Sequence, residues 1–251
     1  GAVESEALID NLLDGSKLDA GRRAGIVDAA GGNPFFVEQM VAMHTVERAS
    51  PTAIPPTIQA LLAARLDRLE PDQLSLLEHA SIMGKEFWPA ALAALTSEPP
   101  SGALNTKLRE LVRKQLIEPT RSTLPVGDAM RFHSGLIRDA VYESVPKRVR
   151  AALHERVASW LSRAIREQVA GQYEEVLGHH LERAYRYLEE LGPLDEHARL
   201  VGRAGADQLA AAGRRAFARG DVAVASGLLV RATGLLPVDA PERLEVLPTI
   251  G

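Results

Sequence analysis

Apolar residues return every three or four positions along most of this chain, and glycine or proline closes almost every run. Leu8, Ile9, Leu12 and Leu13 form the first stripe. Ile58, Leu61, Leu62, Leu66 and Leu69 form another, and Val149, Leu153, Val157, Trp160, Leu161 and Ile165 a longer one. This period gathers apolar side chains on one side of an α-helix, which must then bury that side against another element. Aromatics are only 4% of the 251 residues, so the cores have to be assembled from Leu, Ala and Val, as in helical bundles. The expected fold class is therefore mainly all-α.

Punctuation divides the chain into three regions. Residues 1–50 read as short helices: one breaks at Gly15-Ser16, and one carries Ile26, Ala29 and Ala30 to Gly31-Gly32. A third opens at Pro34 and carries Phe36, Val37, Met40, Val41 and Met43. Pro51, Pro55 and Pro56 cannot lie inside a helix and mark a linker. Residues 51–145 begin with the Ile58–Leu69 stripe, closed by Glu70-Pro71. A second helix carries Leu74, Leu76, Leu77, Ala80, Ile82 and Met83 to Gly84, a third spans Trp88 to Leu95, and Leu104, Leu108, Leu111, Val112 and Ile117 make a fourth. Two extended segments, Leu116-Ile117-Glu118-Pro119 and Met130-Arg131-Phe132-His133, flank the turn residues Pro125 to Asp128 and predict a hairpin. Helices followed by a small β-hairpin is the order of a winged helix. Residues 146–251 form the third region, and the chain from 136 to 251 is expected to be helical throughout. Leu177, Leu181, Ala184, Tyr185, Leu188 and Leu191 form a stripe that stops at Gly192-Pro193. Ala212, Ala216, Gly220-Asp221, Ala225, Leu228, Leu229, Ala232, Leu235 and Pro237 then follow the small-residue pattern of a tetratricopeptide repeat. Such arrays need about three units to bury a continuous core, so the chain is expected to continue past Gly251.

Several chemistries are excluded. No cysteine is present, which removes disulfides, thiolate metal sites and cysteine nucleophiles. No run of about 18 apolar residues offers a membrane span, and Gly1 to Glu6 lacks a basic segment and an apolar signal core, so a cytoplasmic protein without membrane contact is expected. Holding a nucleoside triphosphate requires a Gly-rich loop with Lys and Ser/Thr. Gly84-Lys85-Glu86 is the nearest approach and lacks both the upstream glycine and the hydroxyl. No Gly-x-Ser-x-Gly elbow occurs. Glu175 and His179 share a helix face, but no third ligand stands at metal spacing, so no metal site is expected.

One run carries a family likeness. Gly31-Gly32-Asn33-Pro34-Phe35-Phe36-Val37-Glu38-Gln39-Met40 precedes Ile54-Pro55-Pro56-Thr57-Ile58. Leu77-Glu78-His79-Ala80-Ser81-Ile82-Met83-Gly84 and Phe132 to Tyr142 follow in order. This succession resembles the C-terminal part of a STAND-type signalling ATPase module, related to the AAA superfamily. Such modules occur in bacterial adenylate/guanylate cyclase-associated proteins and in large regulators of the maltose-regulator type. The resemblance implies a helical lid over residues 1–50, a winged helix over 51–145 and TPR-like helical repeats over 146–251, with the phosphate-binding half upstream. It implies that Gly32, Asn33 and Pro34 border an adenine pocket, and that ATP or ADP with magnesium binds only when that half is present. In the family a Phe-x-His-x-Leu-Ile-Arg-x-Ala-x-Tyr motif lets its histidine reach an ADP phosphate. Here Phe132-His133-Ser134-Gly135-Leu136-Ile137-Arg138 places Ser134 at that position. Either His133 takes the role from a shifted backbone or the lock is weakened; His133 is the favoured candidate.

Lys107, Arg109, Arg113 and Lys114 cluster on the fourth helix of the 51–145 region and are the candidate contacts to DNA. Against this, the chain carries 29 Lys and Arg and 33 Asp and Glu, a net charge of -4 that gives no general attraction to nucleic acid. The expected function is a non-catalytic regulatory segment that couples nucleotide state, through an intramolecular P-loop half, to a repeat arm binding a protein or small ligand. Two alternatives stand beside it: a winged-helix DNA-binding transcriptional regulator, and a helical adaptor independent of nucleotides.

Overall fold

The structure is a computed structural model that describes residues 2–13, 19–32, 34, 36–38, 40–41, 62–96, 102–122, 124, 127–166, 173–237, 240–241 and 243. It is mainly helical, with a small antiparallel sheet. The chain divides into two compact units. One comprises Gly1–Pro89, Pro99–Arg121 and Asp128–Ser144; the other comprises Ala90–Glu98, Ser122–Gly127 and Val145–Gly251.

The first unit begins with α1 (Ala2–Leu13) and α2 (Ala20–Ala30), which pack together. Ile9 and Leu13 of α1 and Ile26 and Ala30 of α2 are buried, the spacing expected of one helical stripe. The Asp19 side chain caps α2 by accepting from the Arg22 N–H at 2.9 Å. Gly31 ends it in the left-handed conformation (φ 57°), its N–H donating to the Val27 carbonyl. Phe36, Val37 and Val41 beyond this turn are buried, and Leu62 and Leu66 lie buried in the helical residues 62–66. Met43, the Pro51–Pro56 linker and the Gly15-Ser16 break lie outside the described residues.

Pro71 opens α3 (Pro71–Met83) at its first turn, where its missing N–H costs nothing. A two-residue strand, β1 (Glu86–Phe87), follows. The later elements of this unit are α5 (Gly102–Arg113), β2 (Ile117–Thr120), β3 (Ala129–Phe132) and α6 (Gly135–Ser144); α4 (Pro89–Thr96) lies almost wholly in the second unit. The sheet order is β1-β3-β2, with Glu86 opposite Arg131 and Ile117 opposite Phe132. Phe87 and Phe132 are both fully buried, their ring centroids 5.5 Å apart and tilted by 57°. The end of α5 is a Schellman turn: Leu116 N–H donates to the Leu111 carbonyl and Gln115 N–H to that of Val112, with Gln115 left-handed at φ 54°.

In the second unit α7 (Lys147–Arg166), α8 (Glu174–Leu191), α9 (Glu196–Ala218) and α10 (Val222–Thr233) each pack on the next. Lys147–Glu190, Arg150–Tyr187 and His154–His180 pair in opposite chain directions, so α7 and α8 are antiparallel. Arg231 pairs with Glu182 at 2.6 Å and Arg186 donates to the Gly234 carbonyl at 3.1 Å, so α10 runs parallel to α8. Small residues let α9 approach both neighbours. A side chain on Gly202 would meet the Tyr185 ring at 2.7 Å, and one on Gly213 would meet Leu229 at 2.8 Å. Around these contacts Ala206, Leu209, Ala210, Leu228, Leu229 and Ala232 form the core. Val149 and Leu191, which the periodicity placed on buried stripes, are 44% and 45% exposed; Val149 stands in the first turn of α7 and Leu191 is the last residue of α8.

Candidate functional site

The C-terminal turn of α2 is seated on the corner between β3 and α6. An ideal Cβ on Gly31 would lie 2.5 Å from the Ser134 Cβ and 2.6 Å from the His133 carbonyl oxygen. Only glycine fits there, on two independent grounds: the clash and the positive φ. Gly32 continues the turn at φ 80° and is half-buried, so the backbone presents a rim without side chains.

Local structure explains the corner. Ser134 is 1% exposed, and its Oγ accepts from the Ile137 N–H at 3.3 Å, capping α6. The His133 N–H donates to the Leu116 carbonyl at 3.0 Å, extending the pairing of β3 with β2. The His133 imidazole is half-exposed, with Nδ1 3.8 Å from Glu118 Oε2, while its carbonyl faces Gly31. Glu118 is shared, since its Oε1 accepts from Arg131 Nε at 2.6 Å. Of the two positions weighed for the phosphate-sensing histidine, Ser134 turns its side chain toward the α2 end, and His133 turns its ring toward β2.

Two contacts that sequence reasoning did not anticipate complete the arrangement. Lys85, between α3 and β1, forms an ion pair with Asp28 on the last turn of α2. The Lys85 carbonyl also accepts from the Phe132 N–H at 2.9 Å, so the same residue joins α2 to the β1–β3 pairing. Both side chains are substantially exposed, and such a pair contributes about 0–1 kcal/mol. Arg138 on α6 donates to the Ser81 carbonyl at 3.0 Å and lies 4.4 Å above the Tyr142 ring centre, which fixes α6 against α3. A lone aspartate in the apolar run Ile26-Val27-Asp28-Ala29-Ala30 was the available signal for Asp28. Pro34 is helical and exposed; Asn33 lies outside the described residues.

The basic residues of α5 divide into two sets. Lys107 Nζ pairs with Asp72 at 2.9 Å, and Lys114 Nζ donates to Gln73 Oε1 at 2.6 Å; both acceptors lie on α3. Gln73 is buried and donates in turn to Glu110 Oε2 at 2.7 Å, so this face of α5 is fastened to α3. Arg109 and Arg113 lie on the exposed side: Arg109 donates to the Asn105 carbonyl at 3.3 Å, and Arg113 is 3.8 Å from Glu110. The carboxyl of Asp72 is held below its ordinary range, first by the hydrogen bond from Lys107, which outweighs the opposing effect of burial, and then by the Lys107 charge.

Among the described residues no group of three or more His, Asp or Glu is placed to hold a metal ion, and Glu175 and His179 are both exposed. Among them, too, no helix is long and apolar enough to cross a membrane. The chain matches no family model, and no curated protein matches its sequence.

Proposed function

We propose that this chain is a non-catalytic regulatory segment of a STAND-type signalling ATPase, in which a lid, a winged helix and the first TPR-like repeats transmit nucleotide state to a partner-binding arm. The observation that carries the reading is the seating of the Gly31-Gly32 turn on the His133-Ser134 corner. The two segments that the family likeness assigns to nucleotide sensing are about a hundred residues apart in sequence, yet here they touch. The element order α3-β1-α4-α5-β2-β3, with β3 central in the sheet, supports the winged helix. The Gly220 turn, the buried Ala212, Ala216, Ala225 and Ala232, and the parallel course of α8 and α10 support stacked helical hairpins.

The residues present suit an adenine ring better than a phosphate chain. Gly31 and Gly32 give a backbone edge without side chains, whereas Lys85, the lysine at the corner among the described residues, is already paired with Asp28. Nucleotide phosphates and magnesium would then be held by a P-loop half joined to this chain, and the corner would respond to how that half closes. Two states of the Gly31–Ser134 contact, seated and lifted, are the switch this reading requires.

Calorimetry with ATP and ADP tests it. The chain alone is expected to bind neither tightly, and a sub-micromolar dissociation constant overturns the reading. In a protein that contains both halves, Pro34→Gly is expected to weaken ADP binding about tenfold, a change of about 1.4 kcal/mol. Unchanged binding there favours an adaptor that does not sense nucleotides. On the DNA-binding reading Arg109 and Arg113 are the cations of α5 not fastened to α3, and a gel shift with a steep salt dependence would support it.

A further inference from the structure

The seam between α7 and α8 contains two histidines in direct contact. His154 and His180 are 1% and 2% exposed, with their Nδ1 atoms 2.9 Å apart. Two imidazole nitrogens at this distance form a hydrogen bond only if one carries the proton and the other offers its lone pair. A neutral pair satisfies this, and so does a pair with one added proton. A doubly protonated pair does not, because N–H would face N–H inside a buried seam.

The surroundings oppose further positive charge. The Tyr187 ring stacks on His154 with centroids 6.2 Å apart, and its hydroxyl accepts from Arg150 and Arg183. Both guanidinium groups also lie over that ring, at 5.5 and 4.9 Å. On α8, His179 stands edge-on to His180. The carboxylates nearby are engaged at the periphery: Glu190 of α8 with Lys147 of α7 at 2.8 Å, and Glu155 of α7 with His197 of α9 at 3.0 Å. Residues Pro89–Thr96 of α4, whose Leu95 carbonyl accepts from Arg156 of α7, include no charged side chain.

We propose that the His154–His180 pair is a pH-dependent latch between α7 and α8, closed while a single proton bridges the two rings and opened by the second protonation in mildly acidic solution. The closed seam holds at most one added proton, whereas two rings released into water each take one. The open form therefore binds at least one proton more, and its population rises about tenfold for each pH unit below the histidine range near 6.5. This latch is independent of the nucleotide reading.

Amide hydrogen exchange across α7 and α8, corrected for intrinsic rates, tests the proposal on the intact chain. Opening should rise about tenfold per unit between about pH 6.5 and pH 5, and His180→Gln, which keeps one donor and one acceptor without titrating, should flatten that rise. A variant as steep as the wild type overturns the latch. Should the variant not fold, ring-nitrogen NMR of the wild type decides the matter. At neutral pH complementary tautomers, one Nδ1–H and one Nε2–H, are expected. Both rings fully charged near pH 5 with α7 and α8 still protected would overturn the proposal.

Discussion

Ser134 occupies the space in which Gly31 would carry a side chain, its Cβ 2.5 Å from where that of residue 31 would stand. The chain end of α2 and the start of α6 are thereby matched at the level of one methyl group. Gly31→Ala adds that methyl group and forces a non-glycine residue to φ 57°. The variant is expected to lose about 2 kcal/mol of stability, measured by urea unfolding. Ser134→Gly in the same background removes the struck Cβ but leaves the His133 carbonyl oxygen at 2.6 Å and gives up the α6 cap, so at most part of the loss should be recovered; full recovery would show that the side-chain clash alone is responsible.

Gln115 and Gly220 hold the same place in equivalent Schellman turns, at φ 54° and φ 83°. A glutamine there bears the left-handed strain that glycine avoids, and its side chain is exposed. Gln115→Gly is expected to raise stability by about 0.5 kcal/mol, the relief of strain exceeding the added freedom of the unfolded chain. The Gln115 carbonyl, which accepts from Arg65 at 3.3 Å, is preserved by the change. A lower thermal midpoint in the variant contradicts the expectation.

The Asp72–Lys107 pair predicts a pH dependence with a definite sign. Its carboxyl titrates below the ordinary range in the folded chain, so the pair stabilises above the unfolded value of about 3.9 and loses its effect as pH falls through the folded value. Asp72→Asn should lower the urea midpoint at neutral pH and approach the wild type near pH 3. A difference of equal size at both pH values is incompatible with this assignment.

Much of the helical framework was legible because its apolar stripes are long. Leu76, Leu77 and Ala80 of α3, and Leu104, Leu108 and Leu111 of α5, are buried as the period requires. The hairpin of β2 and β3 was also legible, from two extended runs around a proline-glycine turn. The strand β1 was not, since two residues carry no alternation and Glu86–Phe87 is extended only because β3 offers it a partner. The same limit applies to the site. Gly31-Gly32 reads as a helix stop in any sequence, and only the fold reveals what stands opposite. In the sequence Lys85 stands out only as part of an incomplete phosphate loop, while its partner Asp28 lies 57 residues earlier. His154 and His180 each sit on the buried stripe of a helix, and nothing in either stripe indicates that two rings of the same kind meet across the seam.

The succession α7, α8, α9, α10, each packed on its immediate chain neighbour, has a kinetic consequence. Contacts between neighbours in sequence close small loops, and small loops cost little entropy to close. This arm can therefore nucleate at any adjacent helix pair and grow outward by one helix at a time. On the same ground α10, at the end of the succession, is expected to open before α7 and α8 separate, which residue-resolved hydrogen exchange would read as graded protection along the four helices.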